Sequence, residues 1–98
     1  MDILNQFSLK GKTALVTGAS YGIGMVLATA FSQAGAKIVF NDLRQELVDK
    51  GLDAYAERNI QAHGYVCDVT DEDQVKSLVE KAESEAGPID ILVNNAGI

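Results

Sequence analysis

A doubly wound α/β fold built on a parallel sheet is predicted for this 98-residue chain by three observations. Four short, apolar, β-rich runs alternate with three longer segments in which apolar residues recur at helical spacing. The first run stops abruptly in a turn carrying Gly18, Gly22 and Gly24, and a helical pattern begins at once. Each later run closes on Asp or Asn. Right-handed crossovers make all four strands parallel in one sheet, and the expected order is 3-2-1-4.

Residues 1–12 form an approach segment in which Phe7 and Leu9 alternate with polar neighbours before Gly11 breaks the pattern. Thr13 to Thr17 is the first strand, apolar enough to be buried on both faces. In the helix after the glycines, Ile23, Val26, Leu27, Ala30, Phe31 and Ala34 mark the expected inner face, with Gly35 as the stop. Lys37 to Phe40 is the second strand, and Asn41-Asp42 at its end can cap the next helix. That helix is expected from Gln45 to Arg58, with Val48, Leu52, Tyr55 and Ala56 turned inward. Gly51 weakens it by roughly 1 kcal/mol relative to alanine. A third strand runs from about Ala62 to Cys67 and closes at Asp68, after which Thr70-x-x-Asp73 reads as the cap of a third helix. Its buried stripe is Val75, Leu78, Val79 and Ala82; its other face is charged, with pairs such as Glu72 and Lys76. Gly87-Pro88 ends it. The fourth strand, Ile89 to Val93, runs into Asn94-Asn95-Ala96-Gly97. It lies at the sheet edge and is too apolar to face water, so either the rest of a larger domain or another chain is expected to cover it.

With 47% hydrophobic residues the chain has material for one small core, but its length falls below that of most complete doubly wound domains. Fourteen acidic against eight basic residues give a net charge of −6, which disfavours nucleic-acid backbones and anionic membranes as partners. The N-terminal residues are too polar for a signal peptide, and no apolar run approaches membrane-spanning length. The lone Cys67 excludes an internal disulfide and fits a reducing cytoplasm. No cluster has metal-ligand spacing, nothing resembles a Ser/His/Asp constellation, and His63 reads as an ordinary loop or strand-start histidine.

The glycine turn reads as a phosphate cradle, because the main chain can approach a ligand there and the helix that follows offers free N–H groups and the positive end of its dipole. A purely structural turn is the alternative. Asp42 stands 18 residues after Gly24, at the end of a strand that this topology sets beside the turn. Its carboxylate can accept from both hydroxyls of an adenine nucleotide's ribose, or it can cap the helix that follows. A 2′-phosphate about 5 Å away would be repelled by a few kcal/mol at an effective dielectric near 20, which favours NAD over NADP. Arg44 can swing to such a phosphate and cancel the preference; Tyr21 occupies a place in the turn where a basic residue would argue for NADP. At the end of the third strand, Asp68 can accept from an adenine amino group while the Val69 main chain donates to the ring, or Asp68 can cap a helix.

Thr17-Gly18-x-x-x-Gly22-x-Gly24, Asp68-Val69 and Asn94-Asn95-Ala96-Gly97, in that order, resemble the cofactor half of the short-chain dehydrogenase/reductase family from about Phe7 onward. Within it, Phe7 to Lys12, the Gly18 to Gly24 turn with Tyr21, and Val39 to Asp42 through Asp49-Lys50-Gly51 are similar to gluconate 5-dehydrogenases. The resemblance implies a Rossmann-type domain binding NAD or NADP. In it Gly18, Ser20, Gly22, Ile23 and Gly24 line the pyrophosphate, Asp42 meets a ribose, Asp68 and Val69 hold the adenine, and Asn94, Ala96 and Gly97 contact the adenosine ribose. It also implies reversible hydride transfer between a nicotinamide and a secondary alcohol, with gluconate and 5-ketogluconate as the polyol or sugar-acid substrates, in a cytoplasmic homo-oligomer.

The family's catalytic serine and Tyr-x-x-x-Lys pair are not found here. Tyr21, Tyr55 and Tyr65 are followed four residues later by Met25, Asn59 and Val69. Without a phenol and a lysine that lowers its pKa, hydride transfer lacks its general acid/base. Residues 1–98 are therefore expected to be the cofactor-binding half of an enzyme, the alternative being a nucleotide-binding module without catalysis. An S-adenosylmethionine-dependent methyltransferase is disfavoured by the wide glycine spacing and the Asn94 to Gly97 turn.

Overall fold

A computed structural model describes residues 8–96. Expectations for residues 1–7, Phe7 among them, and for Gly97 lie outside the described residues. Seven elements follow in order: β1 (Thr13–Thr17), α1 (Gly22–Gln33), β2 (Lys37–Asp42), α2 (Gln45–Glu57), β3 (Ala62–Val66), α3 (Glu72–Ala86) and β4 (Ile91–Val93). The strands form one parallel sheet in the order β3-β2-β1-β4. Leu15 lies opposite both Val39 and Leu92, and Thr17 opposite Asn41, so the turns leaving β1, β2 and β4 gather at one end of the sheet.

Side-chain alternation along the strands decides the layers. Ala14, Val16, Ile38 and Phe40 pack on Met25 and Ala28 of α1 and on Val48 and Tyr55 of α2. Leu15 and Val39 point the other way, into a second cluster with Cys67 and with Leu78, Ala82 and Ala86 of α3. Both faces of the central strands are thus dry, which is why β1 and β2 read as continuous apolar runs.

The inner face of α1 differs from the expected one. Ile23 and Val26 are 70% and 68% exposed and Ala30 is exposed too, while Gly24, Met25 and Ala28 are buried. The cause is the close approach of the first turn of α1 to the glycine turn. A Cβ on Gly24 would stand 2.6 Å from Asn95 Nδ2 and 2.8 Å from the Gly18 carbonyl oxygen. The smallest side chains therefore turn to the sheet, and the larger ones rotate off it.

Other differences have local causes. Asp71, not Thr70, caps α3: its Oδ1 accepts from the amides of Asp73 at 3.0 Å and Gln74 at 3.3 Å, and Gln74 returns a side-chain bond to Oδ2. Asp42 does not cap α2, whose N-cap position is held by Arg44 without a side-chain bond. The strand β4 begins at Ile91, not Ile89, because Asp90 pairs with Thr13 partly through its side chain. The Thr13 amide donates to Asp90 Oδ2 and the Asp90 amide donates to the Thr13 carbonyl, each at 2.9 Å. Ala56 is exposed, and Asn59, at φ 60°, supplies the left-handed residue that ends α2. Among the described residues the ion pairs are Glu46–Lys50 and His63–Glu85, the latter charged only when the histidine is protonated; Glu72 and Lys76 do not pair.

Gly51 gains a purpose that propensity alone conceals. A Cβ there would lie 2.9 Å from Phe40 Cε2 and 3.0 Å from Ser20 Cα. Replacing Gly51 with alanine should gain about 1 kcal/mol in helix propensity but lose about 1–3 kcal/mol to overpacking. We expect Gly51→Ala to unfold at lower urea concentration than the parent protein, whereas a neutral or raised midpoint would show that α2 can shift freely.

Candidate functional site

At the gathered strand ends, β1 leaves the sheet through Thr17 into Gly18, whose amide donates to the Asn41 carbonyl at 3.0 Å. Gly18 and Gly22 have φ of 64° and 66°, the left-handed region that L side chains rarely enter. Above Gly22 nothing lies within 4 Å of where a Cβ would stand, so the turn faces open space there. Tyr21 holds the N-cap position of α1 but provides no side-chain cap, and the first turn carries no acidic residue. Its leading N–H groups and dipole end thus meet neither a side-chain cap nor an acidic side chain. Ser20 is buried, and its Oγ has no partner. An uncapped helix start, an open left-handed glycine and an orphaned hydroxyl fit a pyrophosphate.

Two tethers shape this cradle from the β4 side. The Thr17 hydroxyl accepts from the Ala96 amide at 3.0 Å and lies 3.3 Å from the Val93 carbonyl that it donates to; Asn94 Oδ1 stands 3.4 Å away. Asn95 Nδ2 donates to the Gly18 carbonyl at 3.2 Å. The Asn94–Ala96 segment is thereby bound to the glycine turn, with Asn95 making the direct tie. From below, the Tyr55 hydroxyl donates to the Ala19 carbonyl at 2.6 Å.

Asp42 stands at the end of β2, one strand from the cradle. One of its carboxylate oxygens accepts from the Leu43 amide at 2.9 Å, and the helix-cap alternative for this residue fails. Arg44, two residues on, is exposed. Asp68 does not cap α3 either. Its Oδ1 accepts from both the amide and the hydroxyl of Thr70, at 2.9 and 2.7 Å, and these bonds hold its carboxyl below the usual carboxylate range. The Asp68 amide is taken by Gln74 Oε1 at 2.8 Å. Cys67 is buried between the strand ends, and burial with the nearby carboxylates of Asp68 and Asp71 pushes its thiol up. Among the described residues no group of His, Cys, Asp and Glu could hold a metal ion.

Reading the sequence placed Thr17 and Asn95 only inside family motifs, without their bonds to the turn, and missed Asn41 and Tyr55 as builders of the site. Asn41 is buried and donates through Nδ2 to the Cys67 carbonyl at 3.0 Å, joining the ends of β2 and β3. A polar signal existed for Tyr55, since a phenol on the inner face of a helix needs a partner. Nothing local marked which partner.

Thr17→Val should leave the Ala96 amide without its acceptor and cost about 1–3 kcal/mol, read as faster hydrogen exchange at Ala96 and a lower urea midpoint. For Asp68 the folded carboxyl titrates lower than the unfolded one. Its stabilising bonds to Thr70 are therefore fully present above the ordinary carboxylate range and lost as pH falls through the lowered value. Carboxyl NMR titration should show Asp68 ionising below a typical aspartate, and Thr70→Ala should move it back up.

Comparisons with known proteins bear on the family and the fold. The family model for short chain dehydrogenases matches residues 12–98. The 2-dehydro-3-deoxy-D-gluconate 5-dehydrogenase of Formosa agariphila is 48% identical over 93 residues, 94% of this chain and 35% of that protein. A crystal structure of 2-keto-3-deoxy-D-gluconate dehydrogenase from Streptococcus agalactiae shares 67% identity at a TM-score of 0.91, covering 94% of this chain and 35% of that one. A gluconate 5-dehydrogenase from Burkholderia cenocepacia, crystallised with NADP and tartrate, shares 40% identity at a TM-score of 0.86 over 99% of this chain and 38% of its own. The chain thus spans about a third of the length of the relatives it matches. Glycine turn, strand order and family match coincide over the same residues, and the chain belongs to the short-chain dehydrogenase family.

Proposed function

We propose that the protein carrying this chain is an NAD(P)-dependent oxidoreductase that transfers hydride reversibly between a nicotinamide and a secondary alcohol or ketone of a sugar acid, such as gluconate and 5-ketogluconate. Residues 1–98 are its dinucleotide-binding part, and the catalytic serine and Tyr-x-x-x-Lys belong to chain outside them. The observation that carries the reading is the cradle at the start of α1: open space above Gly22, no side-chain cap, and the unpartnered Ser20 hydroxyl. The sugar-acid class is supported by the names of the Formosa, Streptococcus and Burkholderia proteins.

When bound, the cofactor would supply the nicotinamide that accepts or donates the hydride. This chain's residues bind and orient. Following the resemblance, Gly18, Ser20, Gly22, Ile23 and Gly24 would hold the pyrophosphate, Asp42 would accept from the ribose, Asp68 and Val69 would hold the adenine, and Asn94 and Ala96 the adenosine ribose, a role the resemblance also gives Gly97, which lies outside the described residues. Tyr21 and Arg44 border the same site. NAD is the preferred form, since the carboxylate of Asp42 is not consumed by a helix cap and repels a 2′-phosphate. The NADP complex of the Burkholderia relative belongs to that protein, and Arg44 is the residue here that can favour the phosphorylated form. Exposed Leu92 on edge strand β4, with Ile23 and Val26 on α1, supports burial of this half against further chain or a second copy. The net charge of −6 supports a protein that engages neither nucleic acid nor anionic membrane, and no described helix is long and apolar enough to cross one. A cytoplasmic homo-oligomer is the setting we propose.

Titration with NADH and NADPH, followed by nicotinamide fluorescence, tests the binding claim. We expect micromolar to millimolar affinity with NADH favoured, and Asp42→Ser should shift the NADPH/NADH affinity ratio about tenfold or more toward NADPH. Absence of binding at millimolar cofactor overturns the reading. Reduction of 5-ketogluconate and of 2-keto-3-deoxygluconate-type acids by the intact protein tests the reaction; cofactor binding without turnover of any sugar acid would leave a binding module in place of the enzyme.

A further inference from the structure

The Tyr55 hydroxyl lies beneath the glycine turn and donates to the Ala19 carbonyl, and the whole side chain is buried. Phe40 holds the ring at a centroid distance of 5.1 Å, and α2 is pressed onto the turn at Gly51. Burial pushes the phenol up to about 12, so the donor stays protonated at any ordinary pH. No described peptide bond is cis, and in a trans peptide the carbonyl and the N–H point in opposite directions. A carbonyl drawn down onto Tyr55 therefore turns the N–H of the same peptide, that of Ser20, up and away from the core. Ser20 also carries the orphaned hydroxyl, and Gly22 beside it faces open space.

We infer that Tyr55 is a positioning residue for anion binding: by holding the Ala19 carbonyl from below, it fixes the Ala19–Ser20 peptide so that Ser20 presents its amide to a pyrophosphate oxygen. This rests on the dinucleotide reading above. The role is separate from packing, since the aromatic ring supplies the packing and the hydroxyl alone sets the peptide. Without the hydroxyl the peptide can rotate, and a preformed donor becomes one that must be ordered on binding.

The test compares the intact protein with Tyr55→Phe and, as a packing control, Phe40→Leu, each titrated with NADH, ADP and adenosine. Tyr55→Phe should weaken NADH and ADP about fivefold or more while leaving adenosine, which has no pyrophosphate, within about twofold. Phe40→Leu, which loosens the ring but keeps the hydroxyl, should not reproduce that ligand pattern. Unchanged ADP affinity in Tyr55→Phe, equal loss for adenosine, or the same pattern from Phe40→Leu overturns the inference while leaving the dinucleotide reading intact. An unsubstituted protein that binds none of the three overturns both. A measurement that needs no variant is hydrogen exchange of the unsubstituted protein: ADP should slow exchange of the Ser20 amide about tenfold or more, and unchanged exchange there overturns the inference.

Discussion

The structure depends most on the close approach of α1 to the backbone of the turn that leaves β1. At Gly24 there is no room for a side chain, because Asn95, the Gly18 carbonyl and Ala19 already occupy the space a Cβ would take. This single contact sets the rotation of α1 about its axis, buries Met25 and Ala28, and brings the positive end of the helix to the end of the sheet. Any larger residue at this position would lift the helix from the turn and open the cradle.

Around that approach the turn is held from three directions. Strand β2 takes the Gly18 amide through the Asn41 carbonyl, the segment after β4 is tied through Thr17 and Asn95, and α2 reaches up with Tyr55. Backbone polar groups that would otherwise be unsatisfied below the turn are thus bonded inward, while those above it remain free. The asymmetry is chemically informative. Helix α3 begins with Asp71 bonded to two amides and acidic residues in its first turn, so its positive end is already neutralised. The start of α1 has neither, which is what an anion site requires.

The apolar surface is distributed just as unevenly. The layers on either side of β1 and β2 are closed, yet both edge strands carry exposed apolar residues, Leu92 on β4 at 66% and Val66 on β3 at 46%, and Ile23 and Val26 turn outward from α1. These residues are where a packed neighbour would gain most from burial, at roughly 25 cal/mol per Å² of apolar area.

By itself the sequence determined the α/β alternation, the strand order, the glycine cradle and the acidic strand ends, because each is a local pattern: periodicity, a run of small residues, a polar residue where a strand stops. Val48, Leu78 and Ala82 were legible as core for the same reason. Only the tertiary structure decided which face of α1 is buried, since helical spacing in Ile23, Val26 and Ala30 carries no information about a steric limit at Gly24 imposed by Asn95, 71 residues away in the chain. It also decided that Gly51 is a contact point and not merely a weak helical residue, that Asp42 and Asp68 are not helix caps, and that Tyr55 serves the turn above it. In each case the deciding partner is brought close only by the folded sheet, so no local pattern could announce it.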